Sequence, residues 1–194
     1  AAAAAQGQAV AFLMVDLDNF KAVNDLNGHS AGDVILRTSA ERIASVMPDR
    51  SLLARLGGDE FACVCPFEAS RPDRVDQLAA QIIDAVAHPI EVNGNELEVT
   101  VSLGLTSTAN GTQPADAKAL LHMADIAMYH AKRQGRNRYY WFENSMEAEL
   151  RFRSEVENGI RRGIARGEFV PFYEQQVDIT TGELLGFEML ARWH

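Results

Sequence analysis

Basic residues are in short supply in this chain, and the shortage is the first constraint on its partners. Its 194 residues include 18 lysines and arginines against 27 aspartates and glutamates, a formal net charge of −9. Non-specific DNA or RNA binding draws on clustered positive charge, so no nucleic-acid partner is expected. A few local cations beside a metal still suffice to hold one triphosphate. Cysteine is nearly absent, with only Cys63 and Cys65 present. That excludes a disulfide scaffold, and a soft metal cage would need more ligands nearby in sequence. Residues i and i+2 of a strand share one face, so the pair reads as two small buried apolar side chains in a reducing compartment. No run of roughly 18 apolar residues occurs, so no segment is expected to span a membrane, and the fragment is expected to make no membrane contact. A signal peptide is also missing, and a cytoplasmic location is expected; the sequence leaves open a membrane anchor in a preceding N-terminal region. Residues 1–8 open on five alanines and read as a tag or a disordered leader, outside the fold.

What is present is enough for a core. Hydrophobic residues make up 47% and charged residues 23% of the chain, ordinary values for a globular protein. At roughly 100–200 residues per domain, the length holds one full domain and a fragment. Residues 9–15 form an unbroken apolar run, the pattern of a strand buried on both faces; it stops at Asp16-Leu17-Asp18. Short helical spacing follows over 19–26 and longer spacing over 31–47, ended by Pro48. Strands are expected at 51–56 and 61–65, with Gly57-Gly58-Asp59-Glu60 as the hairpin turn between them. A helix is expected over 71–87, and a second hairpin joins 89–92 to 97–106 through Asn93-Gly94. A third long helix spans 115–133, and an aromatic strand spans 139–142. Alternating strands and helices with two hairpins give an α/β (α+β) fold: a mixed, largely antiparallel sheet flanked by helices. After Phe142 the character changes. Residues 144–166 read as a charged connecting helix, and 167–194 as one more strand pair. That last stretch is too short to bury a core alone, so it reads as an incomplete second domain with strands left disordered or paired to another chain.

Several residue groups carry chemistry in this pattern. Asp16 ends a buried strand, where α/β proteins place ligands, and Asp18 follows two residues on. A hairpin tip bearing Asp59 and Glu60 beside that strand end would assemble hard oxygen ligands suited to Mg²⁺. The alternative is a set of solvated loop acids. Gly57 and Gly58 let backbone approach a phosphate, or simply make a turn. Lys132 and Arg136 lie i, i+4 near a helix end, so they are expected to share a face. There they could neutralise phosphates or form a solvated basic face. Asn24, His29 and Asp33 surround Gly28 and Gly32; a carboxylate and an amide can read the guanine edge, whereas Asp33 could instead cap a helix.

In order, Asp16-Leu17-Asp18-Asn19-Phe20-Lys21, Asn24-Asp25, Gly28-His29, Gly32-Asp33 and Gly57-Gly58-Asp59-Glu60-Phe61 strongly resemble the GGDEF family of diguanylate cyclases. Ala124-Asp125, Ala127-Met128-Tyr129, Ala131-Lys132 and Gly135-Arg136-Asn137 resemble that family's closing motif. The resemblance covers residues 9–143 and implies a polymerase-palm-like fold. It further implies that Asp16, the Leu17 carbonyl and Asp59 ligate Mg²⁺ (or Mn²⁺), and that Asn24 and Asp33 read guanine. By the same resemblance, the backbone near Phe20 and Lys21 and the side chains of Lys132 and Arg136 meet the phosphates of GTP. Gly57 and Gly58 make room for the nucleotide, and Glu60 lies beside the reacting ribose 3′-hydroxyl or the metal. The implied reaction joins two GTP into cyclic di-GMP in a symmetric homodimer. Many family members carry R-x-x-D just before the signature, where product inhibits. Pro48 and Ser51 stand there in this chain, so inhibition through that site is not expected.

The tail is similar to the opening of an EAL domain, a cyclic di-GMP phosphodiesterase. Phe169, Tyr173, Gln176-Val177-Asp178, Thr181-Gly182, Gly186-Phe187 and Glu188-Met189-Leu190-Ala191-Arg192-Trp193 carry that likeness. Glu174-Gln175 departs from the usual Gln-Pro. Glu188 would be a first metal ligand and Arg192 would approach substrate phosphate. Without the remaining ligands the fragment alone is expected to be inactive, and the rest of the EAL domain and an N-terminal sensory region are expected partners. Two functions follow from these likenesses. One is an active cyclase; the other is a GTP-binding regulatory module, with little turnover, that controls an attached phosphodiesterase.

Overall fold

A computed structural model of the chain describes residues 8–109 and 116–194. The alanine tract Ala1–Ala5 and the expected helix start at Ala115 lie outside the described residues. The chain divides into two compact units, one ending at Met146 and one running from Glu147 to His194.

The first unit is built on a five-stranded sheet. Its strands are β1 (Gln8–Leu17), β2 (Leu52–Gly57), β3 (Glu60–Glu68), β6 (Val101–Ser107) and β7 (Arg138–Trp141), in the order β2-β3-β1-β6-β7. All pairings are antiparallel except β6 with β7. Helices α1 (Phe20–Asn27), α2 (His29–Val46), α3 (Asp73–Ala87) and α4 (Ala117–Arg133) complete the unit, with a small hairpin of β4 (Ile90–Val92) and β5 (Asn95–Leu97). This is the mixed, largely antiparallel sheet flanked by helices read from the sequence. Gln8, counted with the leader, opens β1 opposite Glu68.

Strand parity sorts the two faces. Leu13, Val15 and Leu17 of β1, Phe61, Cys63 and Cys65 of β3, and Val101, Leu103 and Leu105 of β6 share one large core with Ile35, Ile43, Val75 and Ile82 from α2 and α3. The two cysteines are free and buried there, and burial pushes their thiols up to about 12 and about 11. The opposite face belongs to α4, where Met14 and Ala62 pack on Ala124 and Met128. Small residues let this helix come very close: a Cβ added to Gly104 would run into the Ala124 carbonyl and the Met128 amide.

One expected strand differs. Residues 97–106 are not continuous, because β5 ends at Leu97 and β6 begins at Val101. Asn93 (φ 53°) and Gly94 (φ 80°) make the expected turn, but it closes a three-residue hairpin on β4. The chain then moves over to pair with β1.

In the second unit, helix α5 (Asn144–Arg166) leads into β8 (Phe169–Val177) and β9 (Leu184–Trp193), which pair antiparallel with each other. This is the strand pair read from the sequence. The helix presents Gly159 and Gly163 to the Trp193 and Phe169 rings, which stack 5.2 Å apart. The Trp193 indole donates to Glu168 at 3.0 Å. Phe172, Tyr173, Leu185, Phe187 and Met189 are exposed. No helix among the described residues is long and apolar enough to cross a membrane.

Candidate active site

The predicted acids meet at one end of the sheet. Asp16 lies in register with Glu60 across the β1–β3 pairing. The Leu17 amide donates to the Asp59 carbonyl at 3.2 Å, so the turn carrying Asp59 sits against the end of β1. Gly58 occupies the left-handed region in that turn (φ 53°), which glycine adopts without steric cost. A bulge between Arg55 and Gly57 shifts the register just before it. The Arg55 guanidinium then holds the Gly58 carbonyl through Nε and Nη2, at 3.0 and 2.7 Å. Arg55 was not singled out from the sequence. An arginine three residues before a turn gives no signal without the bulge that aims it.

Asp16 shares its face of β1 with Met14, the face covered by α4. Lys132 of α4 reaches it at 2.6 Å. Burial raises the Asp16 carboxyl from 3.8 to about 6; the Lys132 hydrogen bond and charge oppose this, while Asp59 and Glu60 add to it. Three carboxylates, Asp16, Asp59 and Glu60, thus share this end of the sheet with Lys132. Hard oxygen donors fit Mg²⁺ or Mn²⁺. Among the described residues, no three His, Cys, Asp or Glu side chains form a cage for a metal by themselves. The oxygen donors gathered at this strand end are the Asp16, Asp59 and Glu60 carboxylates and the neighbouring backbone of Leu17.

Arg136 corrects an expectation. It does not share a helix face with Lys132, because α4 ends at Arg133. The chain turns through Gly135 (φ 110°) into Arg136 (φ 61°), and the Arg136 amide closes back on the Ala131 carbonyl at 3.1 Å. The i, i+4 spacing alone does not show this break; Gly135, just past the expected helix end at Arg133, is the signal for it.

On the other side of the strand end lies α1. Its N-terminus follows Asn19 in the left-handed region, with no side-chain cap. The first-turn amides near buried Phe20 and exposed Lys21 are thereby left for an anion. Asn24 packs its amide against Gly32, and its Oδ1 is buried without a hydrogen-bond partner. Asp33 lies inside α2, not at its cap, which is Gly28. It lines a cleft of about 390 Å³ with Leu36, Arg37, Leu53, Arg55 and Phe61. Glu188 and Arg192 lie on β9 in the second unit. Glu188 pairs with Glu174, and the Arg192 guanidinium sits 5.9 Å from the Phe172 ring centre.

Comparison with known proteins bears on the family and the fold. A family model described as diguanylate cyclase, GGDEF domain, matches residues 1–138. The bifunctional diguanylate cyclase/cyclic di-GMP phosphodiesterase MucR of Pseudomonas aeruginosa is 37% identical over 186 residues, 94% of this chain and 26% of MucR. This chain spans about a quarter of the length of the curated relatives it matches. The crystal structure of the GGDEF domain of YfiN (TpbB) from Pseudomonas aeruginosa superposes with a TM-score of 0.67 at 35% identity, covering 73% of this chain and 87% of that one. The GGDEF domain of DgcB from Caulobacter crescentus, in complex with c-di-GMP, gives a TM-score of 0.64 at 30% identity, covering 72% and 81%.

Proposed function

The chain belongs to the diguanylate cyclase GGDEF family, and on that premise we propose that it condenses two GTP into cyclic di-GMP as a symmetric homodimer. The observation that carries this reading is the convergence of Asp16, Leu17, Asp59 and Glu60 at one sheet end, with Lys132 on Asp16.

Asp16, the Leu17 carbonyl and Asp59 would hold Mg²⁺ or Mn²⁺, which when bound neutralises charge on the triphosphate and favours loss of the 3′-hydroxyl proton. Asn24 and Asp33 read guanine; the unpartnered Asn24 Oδ1 is an acceptor that a guanine N–H satisfies. Lys132 exchanges Asp16 for phosphate oxygens. Arg136 takes the outer phosphates, and the amides at Phe20 and Lys21 take the remainder. Gly57 and Gly58 keep side chains out of the nucleotide's path, and Glu60 stands beside the attacking ribose. Each 3′-oxygen forms a bond to the α-phosphorus of the other GTP, its proton is lost, and pyrophosphate leaves. One site holds one GTP, so two protomers must face each other across a two-fold axis.

The second reading, a GTP-binding module that regulates an attached EAL phosphodiesterase, uses the same binding residues. The MucR alignment favours keeping it, because 186 matched residues must run well beyond residue 138. On this reading residues 167–194 begin an EAL domain, with Glu188 and Arg192 in its site and the missing part of that domain covering the exposed apolar residues.

Incubating the purified chain at several concentrations with GTP and Mg²⁺ and separating the nucleotides tests both. Cyclic di-GMP formed with a steep dependence on protein concentration is the expected result. Tight GTP binding without product at any concentration would overturn the cyclase in favour of the regulatory module. Asp59→Ala should abolish metal-dependent GTP binding and turnover together.

A further inference from the structure

Asp16 and Asp18 are the two buried carboxylates among the described residues, each about 4% exposed. Only Asp16 has a role in the site as described above. Asp18 is fully engaged elsewhere. Its Oδ1 accepts from the Ser102 hydroxyl at 2.7 Å. Its Oδ2 accepts from the Thr100 hydroxyl at 2.7 Å and from the Asn137 amide at 3.1 Å. Its own amide donates to the Thr100 carbonyl at 2.8 Å. These bonds tie the end of β1 to the start of β6 and to the loop after α4.

That loop is conformationally costly. Gly135, Arg136 and Asn137 follow one another at φ 110°, 61° and 49°. Successive left-handed residues bearing side chains persist only where their surroundings impose them. Three bonds do so here. The Arg136 amide donates to the Ala131 carbonyl at 3.1 Å, the Arg138 Nε donates to the Arg136 carbonyl at 2.9 Å, and the Asn137 amide donates to Asp18. Only the last ties the loop to the strand that carries the candidate metal ligands.

The geometry points to Asp18 as a positioning residue: by anchoring the left-handed loop to the end of β1, it fixes Arg136 toward the phosphates of GTP. This rests on the GTP-binding reading above. Asp18 touches neither metal nor nucleotide and acts through Arg136.

The experiment is a double-mutant cycle between Asp18→Ala and Arg136→Ala. It is read by calorimetric titration with a non-hydrolysable GTP analogue and Mg²⁺, and by NMR titration with GMP, which lacks the β- and γ-phosphates. Asp18→Ala should weaken the analogue about tenfold, the scale of one lost hydrogen bond to a charged group, and leave GMP binding unchanged. In the Arg136→Ala background it should cost nothing further. Asp18→Asn should bind within about twofold of the wild type, because the amide oxygen can accept from Asn137 and Thr100 while its NH₂ donates to Ser102. Equal damage from Asp18→Asn and Asp18→Ala would overturn the proposal by showing that the charge, as in a metal ligand, is what counts. An undiminished effect of Asp18→Ala without Arg136, or a parallel loss of GMP binding, would also overturn it. If Asp18→Ala does not fold, Thr100→Val removes one donor from the same oxygen and should show a smaller loss that again vanishes with Arg136→Ala. Wild-type affinity in Arg136→Ala alone would instead sink the assignment of Arg136 to phosphate, and the proposal with it.

Discussion

Removing the charge at Asp16 should make the metal-free protein more stable, not less. Burial lifts this carboxyl from 3.8 to about 6 even though Lys132 pulls the other way. A displacement of that size corresponds to about 3 kcal/mol. The folded protein holds the Asp16 proton more tightly than the unfolded chain does. Its ionisation therefore costs stability progressively from about pH 3.8 to about pH 6, and the full cost is present above that window. Asp16→Asn carries no such cost. Lys132, with a side chain 29% exposed, can turn to water when its partner is lost. The variant should exceed the wild type by up to about 3 kcal/mol at pH 7 and converge with it near pH 4. Saturating Mg²⁺ should narrow the gap at pH 7, by stabilising only the wild type. Urea unfolding reads this, followed through Trp141 in a Trp193→Phe background so that the second unit stays silent. A variant less stable than the wild type at pH 7, or a difference unchanged down to pH 4, would refute the account of Asp16 as a carboxylate destabilised by burial.

Other substitutions probe separate parts of the reasoning. Asp33→Ala should reduce the preference for GTP over ATP in competitive binding, and undiminished selectivity would move guanine recognition elsewhere. Gly104→Ala should lower the melting temperature of the first unit by about 10 °C, because its Cβ meets the backbone of α4 at Ala124 and Met128; an unchanged value would mean that α4 does not sit directly on β6. Cyclic di-GMP titrated against the chain should not bind at Pro48 to Ser51, where neither end residue supplies a guanidinium or a carboxylate. Tight binding mapped to those residues by chemical-shift perturbation would contradict this.

Much of the fold was legible because its elements are locally encoded. The apolar run before Asp16 could only be a central strand, and Asn144–Arg166 and the final strand pair were bounded by their own composition. The β5–β6 break was not legible, since apolar residues continue across it and only pairing with β1 divides them. The end of α4 at Arg133 was legible, but the course of the turn after it was not. Gly135 and Asn137 favour a left-handed turn locally, but the bond from the Asn137 amide to Asp18, 119 residues earlier along the chain, is visible only in the folded protein.

The sequence by itself determined which chemistry is available: hard carboxylate oxygens, a few cations for phosphate, and an amide and acid for a base edge, in an order that resembles one family. Tertiary structure decided which of these groups act together. Strand parity turned Asp16 toward α4 and Lys132, antiparallel register set Glu60 opposite it, and the turn brought Asp59 against Leu17. Asp18, two residues from Asp16 and of the same residue type, became a strut because three donors from distant segments reached it first. Residue type sets what a side chain can bond, but only the packed chain sets which partners come within reach.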